Sequence, residues 1–225
     1  MIIISGLRKV KYKSKEEINE IATSLIYDYD KKSLSEPTRI DEDMYVEEYI
    51  GAFYESKRLS TDMSVLGASS FTGGLIPVYN KCDKIENIYV DPKTIIIDEH
   101  LEIPELETRR RFTIAHEIGH LVLHEDIFTV YQRCEGKQLE KWKSIDIVEW
   151  QANQFAAALL MPKATLQEAI YNVLGLLSCT KDEFMRRVRL DRKYYDNFVC
   201  IISEIYGVSF TCAKIRLKQH PEFWI

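Results

Sequence analysis

The chain has 225 residues, 46% apolar and 29% charged, with a formal net charge of −5. That is an ordinary soluble composition, long enough for one sizeable core or for a domain with a small appendage. The acidic balance argues against a general nucleic-acid binder, which carries a basic excess. No run approaches the roughly 18 apolar residues of a membrane span, and the start MIIISGLRKVKYK lacks the apolar length and charge placement of a secretion signal. Five cysteines without a C-x-x-C pair fit reduced thiols. The expected location is cytoplasmic, with no membrane association.

In chain order, residues 14–29 carry Ile18, Ile21, Ala22, Leu25 and Ile26 at helical spacing, with Ser14 as a cap and Glu17 three residues on, which predicts an amphipathic helix. A polar stretch, KKSLSEPTRIDED, separates it from a second helix expected over residues 45–53. From 58 to 98 the texture changes to short apolar runs broken by turn residues. Strands are expected at 64–70, 75–79, 87–90 and 94–97, with turns at Gly73-Gly74 and Asp91-Pro92. They imply a small sheet against which the next helix packs. The triplet Arg109–Arg111 reads as a solvated surface with one Arg paired internally.

Residues 112–124 read FTIAHEIGHLVLH, and His116, Glu117 and His120 form H-E-x-x-H. Positions four apart on a helix share a face, so both imidazoles can reach one metal ion. Glu117, about 100° round the helix from His116, flanks that face and can serve as a base toward a metal-activated water. Phe112, Ala115, Gly119, Val122 and Leu123 make the apolar stripe of a buried helix. The bland alternative is a core helix whose histidines bond to backbone. His124 lies four residues beyond His120 but drifts about 40° per such step. A metzincin would have Gly and His where this chain has Leu123 and Asp126, so His124 reads as a structural or supporting residue.

A catalytic zinc usually takes three protein ligands, and residues 147–161, IVEWQANQFAAALLM, hold the candidate for the third. Val148, Ala152, Phe155, Ala156 and Leu159 share one helical face, with Glu149 and Asn153 on its edge. A carboxylate at the margin of a buried face needs a partner; a metal supplies one, and Asn153 would orient a ligand by hydrogen bonding. The alternative for Glu149 is an ion pair at a helix start. Two His and one Glu accept zinc or manganese. The intervening residues 125–145 are polar and read as a connection beside the cleft that contributes to substrate choice.

After Pro162 helices are expected at 163–177, 181–188, 195–206 and 209–218. The last pair meets at Tyr206-Gly207-Val208-Ser209, which resembles a helix-turn-helix turn and would let Lys214, Arg216 and Lys218 contact phosphates. Asp196, Glu204 and Glu222 dilute that charge, and the competing reading is a helical cap that packs on the main domain or docks a partner.

RRRFTIAHEIGHLVLH followed by EWQANQFAAALLMP, with LSTDMSVLGASSF, GLIPVYN and YVDPKTIIIDEHL upstream, resembles the ImmA/IrrE family of metallopeptidases from about residue 35 to Pro162. The resemblance implies a compact zincin-like fold; together with the elements above, the expected class is α+β, with a zincin-like domain over residues 1–162 and a helical region over 163–225. It implies zinc on His116, His120 and Glu149, with Glu117 as general base. Family members often carry a Glu where this chain has Gln151, which touches only a supporting role. It further implies a protein substrate, a DNA-binding repressor of a phage or mobile element. Two competing functions use the same fold: a regulator that binds without cutting, and a toxin–antitoxin component.

Overall fold

Glu17 and Ser14 close a reciprocal cap. The carboxylate accepts from the Ser14 N–H at 2.7 Å, and the Ser14 hydroxyl accepts from the Glu17 N–H at 3.2 Å. Two amides that a helix start leaves open are thereby satisfied. In the computed structural model, which describes residues 11–124, 130–132 and 143–221, this cap begins α1 (Lys15–Tyr29). By packing, the chain divides into two compact units: Met1–Ile18 with Asp41–Ala156, and Asn19–Ile40 with Ala157–Ile225. Residues 19–40 therefore group with the C-terminal helices.

In the first unit, α2 (Glu42–Met44) passes into a π-helical segment, Tyr45–Ile50, which Gly51 ends in the left-handed conformation. The helix expected over 45–53 thus stops at Ile50, and Phe53–Lys57 is a strand, β1. What makes it a strand is a partner distant in sequence, since β1 pairs in parallel with β5 (Thr94–Asp98). The four-stranded sheet has the order β1-β5-β2-β6, with β2 (Gly67–Ser70) antiparallel to both β5 and β6 (Val130–Gln132). Every residue of β5 is buried, as suits a strand paired on both edges. A hairpin of β3 (Gly74–Tyr79) and β4 (Ile85–Val90) forms a second sheet. Ile76, Val78 and Val90 of the hairpin cluster with Ala68 and Ile96 of the larger sheet.

The helix α3 (Glu107–His124) packs on β2 and β5. Its entry is held by arginines. Arg111, 1% exposed, pairs with buried Glu42 at 3.2 Å, and Arg110 reaches Asp43 at 3.0 Å and the Tyr54 hydroxyl at 3.3 Å. Two of the three arginines are thus internal ties to the 42–54 region, where the sequence suggested one. The helix α4 (Lys143–Leu160) crosses α3 at Gly119. A Cβ there would stand 3.1 Å from Phe155 Cδ1 and 3.3 Å from the Cα and carbonyl of Ala152. Of the expected 125–145 connection, β6 and the first residues of α4 are described; its bearing on substrate choice lies outside the described residues.

The second unit contains α5 (Lys163–Leu176), α6 (Lys181–Leu190), α7 (Lys193–Tyr206) and α8 (Phe210–Gln219), close to the expected helices. Phe184 and Phe198 pack with ring centroids 4.8 Å apart, and Thr165 meets the Tyr206 hydroxyl at 3.0 Å. A 103° bend separates α7 from α8. Arg216, however, is buried. Its guanidinium donates to the Met161 carbonyl at 3.1 Å and to Asn19 Oδ1 at 2.6 Å. Lys214 pairs with Asp196 at 3.2 Å. Of the three cations considered for phosphate contact, Lys218 alone is exposed. Among the described residues no single helix is long and apolar enough to cross a membrane. The α+β class expected from the sequence is the class observed.

Candidate metal centre

The centre is built from one face of α3 and one edge of α4. His116 and His120 are 3% and 0% exposed, and their Nε2 atoms face each other at 2.9 Å. Glu149 on α4 spans the pair, with Oε2 3.5 Å from His116 Nε2 and Oε1 3.5 Å from His120 Nε2. The close crossing at Gly119 and Ala152 puts α4 near enough for this.

The far side of each imidazole decides which nitrogen points inward. His116 Nδ1 lies 3.2 Å from Asn153 Oδ1, and an amide oxygen only accepts, so His116 donates through Nδ1 and presents its Nε2 lone pair. His120 Nδ1 lies 3.1 Å from His124 Nδ1. Burial first, and then the neighbouring His120, pull His124 down to about 3; a neutral His124 can accept the Nδ1–H of His120. Both Nε2 lone pairs then converge on one point beside a carboxylate. Burial alone would push Glu149 up; hydrogen bonds and positive charge from His116 and His120 in their protonated form reverse this and hold it well below the usual carboxylate range. A cation between neutral imidazoles would favour the same ionised carboxylate.

Three residues that each turn a lone pair toward the same largely buried point fit a cation. A tetrahedral zinc with N and O bonds of about 2.0–2.2 Å separates its donors by roughly 3.3–3.5 Å. Each Glu149 oxygen stands 3.5 Å from one imidazole Nε2, at that spacing, while the two Nε2 atoms at 2.9 Å are closer and would part slightly to hold the ion. Among the described residues, these three form the His, Cys, Asp and Glu group able to hold a metal ion.

Residues 79–177 match the family described as peptidase M78, IrrE N-terminal-like domain. They contain both helices of the centre. Residues 79–177 are thus similar to the ImmA/IrrE family. The chain is also 38% identical over 65 residues to the Radiation response metalloprotease IrrE of Deinococcus radiodurans, covering 28% of this chain and 18% of that protein. This chain therefore spans well under two thirds of the curated relative it matches.

Within this IrrE-like domain and the strands before it, Glu117 is not one of the three grouped donors. It is 1% exposed, and its side chain lies against β2, where the Ser69 hydroxyl donates to Oε2 at 2.5 Å. Gly67 on the same strand leaves room for it: a Cβ there would stand 2.6 Å from Glu117 Oε1. Sequence reasoning singled out neither Ser69 nor Gly67. Their signal is the period of two in Gly67-x-Ser69, which puts both on one face of β2, but the sequence does not say which helix that face meets. Gln151 is fully buried and donates to the Lys11 carbonyl at 3.4 Å.

Proposed function

We propose that this chain is a zinc-dependent endopeptidase that cuts a regulatory protein, such as a phage or mobile-element repressor, at a specific site in the cytoplasm. The observation that carries the reading is the convergence of His116 Nε2, His120 Nε2 and a Glu149 carboxylate oxygen on one buried point. In this reading those three residues hold the ion, Asn153 orients His116, and His124 orients His120. Zinc bound there supplies Lewis-acid polarisation of a water and of the scissile carbonyl, and manganese suits the same donors. Glu117 takes the proton from the attacking water and passes it to the leaving amine. The family supports the metallopeptidase chemistry; the repressor as substrate comes from the family resemblance alone.

The test is mass spectrometry of the DNA-binding repressor encoded nearest this gene, co-expressed with the wild type or with Glu117→Gln. A discrete cut made only by the wild type, with equal zinc content in both proteins, is the expected result. An intact repressor that co-purifies equally with both proteins would replace the peptidase by a binding regulator. Growth arrest on expression of the wild type alone, lost in Glu117→Gln, would favour the toxin–antitoxin reading.

A further inference from the structure

A glutamate has three side-chain torsions, so one placed beside a metal-binding face is not held at a useful angle by its backbone alone. In this protein the holding is done by β2. Ser69 has a single hydroxyl proton and two acceptors within reach on Glu117, Oε2 at 2.5 Å and the main-chain carbonyl at 3.3 Å; the shorter contact takes the proton. Two residues back, Gly67 supplies the space. Its φ is not positive, so an alanine would suit the backbone, and the obstacle to a Cβ is the neighbouring side chains. Such a Cβ would stand 2.6 Å from Glu117 Oε1, 2.9 Å from Thr113 Cγ2 and 3.0 Å from Glu117 Cγ. The strand carrying both residues is paired on both edges, to β5 and to β6, which makes it a fixed support.

We propose that Ser69 and Gly67 form a positioning cradle for the Glu117 carboxylate: Ser69 anchors one oxygen through its hydroxyl, and Gly67 keeps the space in which the other sits. Neither is a catalytic residue; each acts through Glu117. The inference rests on the endopeptidase reading, in which Glu117 handles the proton. It predicts that turnover depends on the two β2 residues while metal loading does not.

The experiment compares the full chain as wild type, Ser69→Ala, Ser69→Thr, Gly67→Ala and Glu117→Gln, each loaded with zinc. Zinc content and thermal unfolding are measured first. Calorimetry with acetohydroxamate follows, since this metal chelator presents a proton that a neighbouring carboxylate can accept. Kinetics on a peptide spanning the bond cut in the repressor complete the set. With zinc content unchanged, Ser69→Ala should bind acetohydroxamate about fivefold more weakly, in the same direction as Glu117→Gln. It should lower kcat about 10- to 100-fold at constant KM. Gly67→Ala, which displaces the carboxylate but keeps the hydroxyl, should do the same, and Ser69→Thr should restore kcat to within about threefold of wild type by keeping an Oγ.

Ser69→Ala with wild-type acetohydroxamate affinity and kcat per bound zinc would overturn the cradle, as would a loss confined to thermal stability or zinc content. The acetohydroxamate measurement needs no substrate, so it remains readable if no peptide is cut. Absence of cutting by the wild type would defeat the peptidase reading on its own. A wild type that takes up no zinc would overturn both.

Discussion

Asn153 and His124 stand behind the two histidines, and in the proposed zinc site each contact would have a consequence for the metal. An imidazole free to rotate presents either nitrogen; one whose Nδ1 is held at 3.2 Å from an amide oxygen presents only Nε2. Removing such an orienting partner typically costs about 10- to 100-fold in metal affinity. Asn153→Ala is therefore expected to weaken zinc binding by that factor, measured by competition with a fluorescent chelator at fixed pH. An unchanged affinity would show that packing alone orients His116. The spacing of His116 and His120 was legible because it is a property of one helix, and Glu149 was legible as a carboxylate on the edge of an apolar face. Ser69 was not, because a serine in a short strand has no local mark of what its hydroxyl reaches.

At the scale of elements, the centre depends on how closely α3 and α4 approach. Gly119→Ala puts a Cβ 3.1 Å from the Phe155 ring and 3.3 Å from the Ala152 backbone, so α4 must shift and carry Glu149 with it. Overpacking of this kind destabilises by about 1–3 kcal/mol. Urea unfolding should show that loss, with weaker zinc binding beside it; a variant as stable as wild type would mean that α4 gives way freely. The arginine tie at the start of α3 predicts a larger effect. Arg111→Ala leaves the Glu42 charge buried against its lost partner and should cost about 3–5 kcal/mol, while the double change Glu42→Leu with Arg111→Met should recover most of it. If the double variant is no better than Arg111→Ala, the pair is not the source of the loss. Helices α5 to α8 were legible from period and turn residues. The strand β1 was not, because its conformation comes from pairing in parallel with β5, and its exposed Phe53 gives no alternation to read.

At the scale of the whole molecule, the chain is two compact units, and the second has a marker of its own. Tyr206 is fully buried, and burial pushes its phenol up from 10 to about 12. The folded state thus holds that proton more tightly than the unfolded state does. The contribution is fully present below pH 10 and is lost as pH rises from 10 toward 12. Circular dichroism across that window should show the wild type losing stability, and Tyr206→Phe should flatten the loss; equal slopes would assign the alkaline transition to other groups.

The sequence by itself determined the class of the fold, most of its helices and strands, and the two histidines with their neighbouring acid. These follow from spacings of two to four residues, which the geometry of a helix or strand converts directly into faces. Only the tertiary structure decided that Glu149 meets both imidazoles from another helix, that β2 holds Glu117, and that Arg216 turns inward. Those are contacts between residues far apart in the chain. They depend on which faces pack together and how closely, and local periodicity carries no information about either.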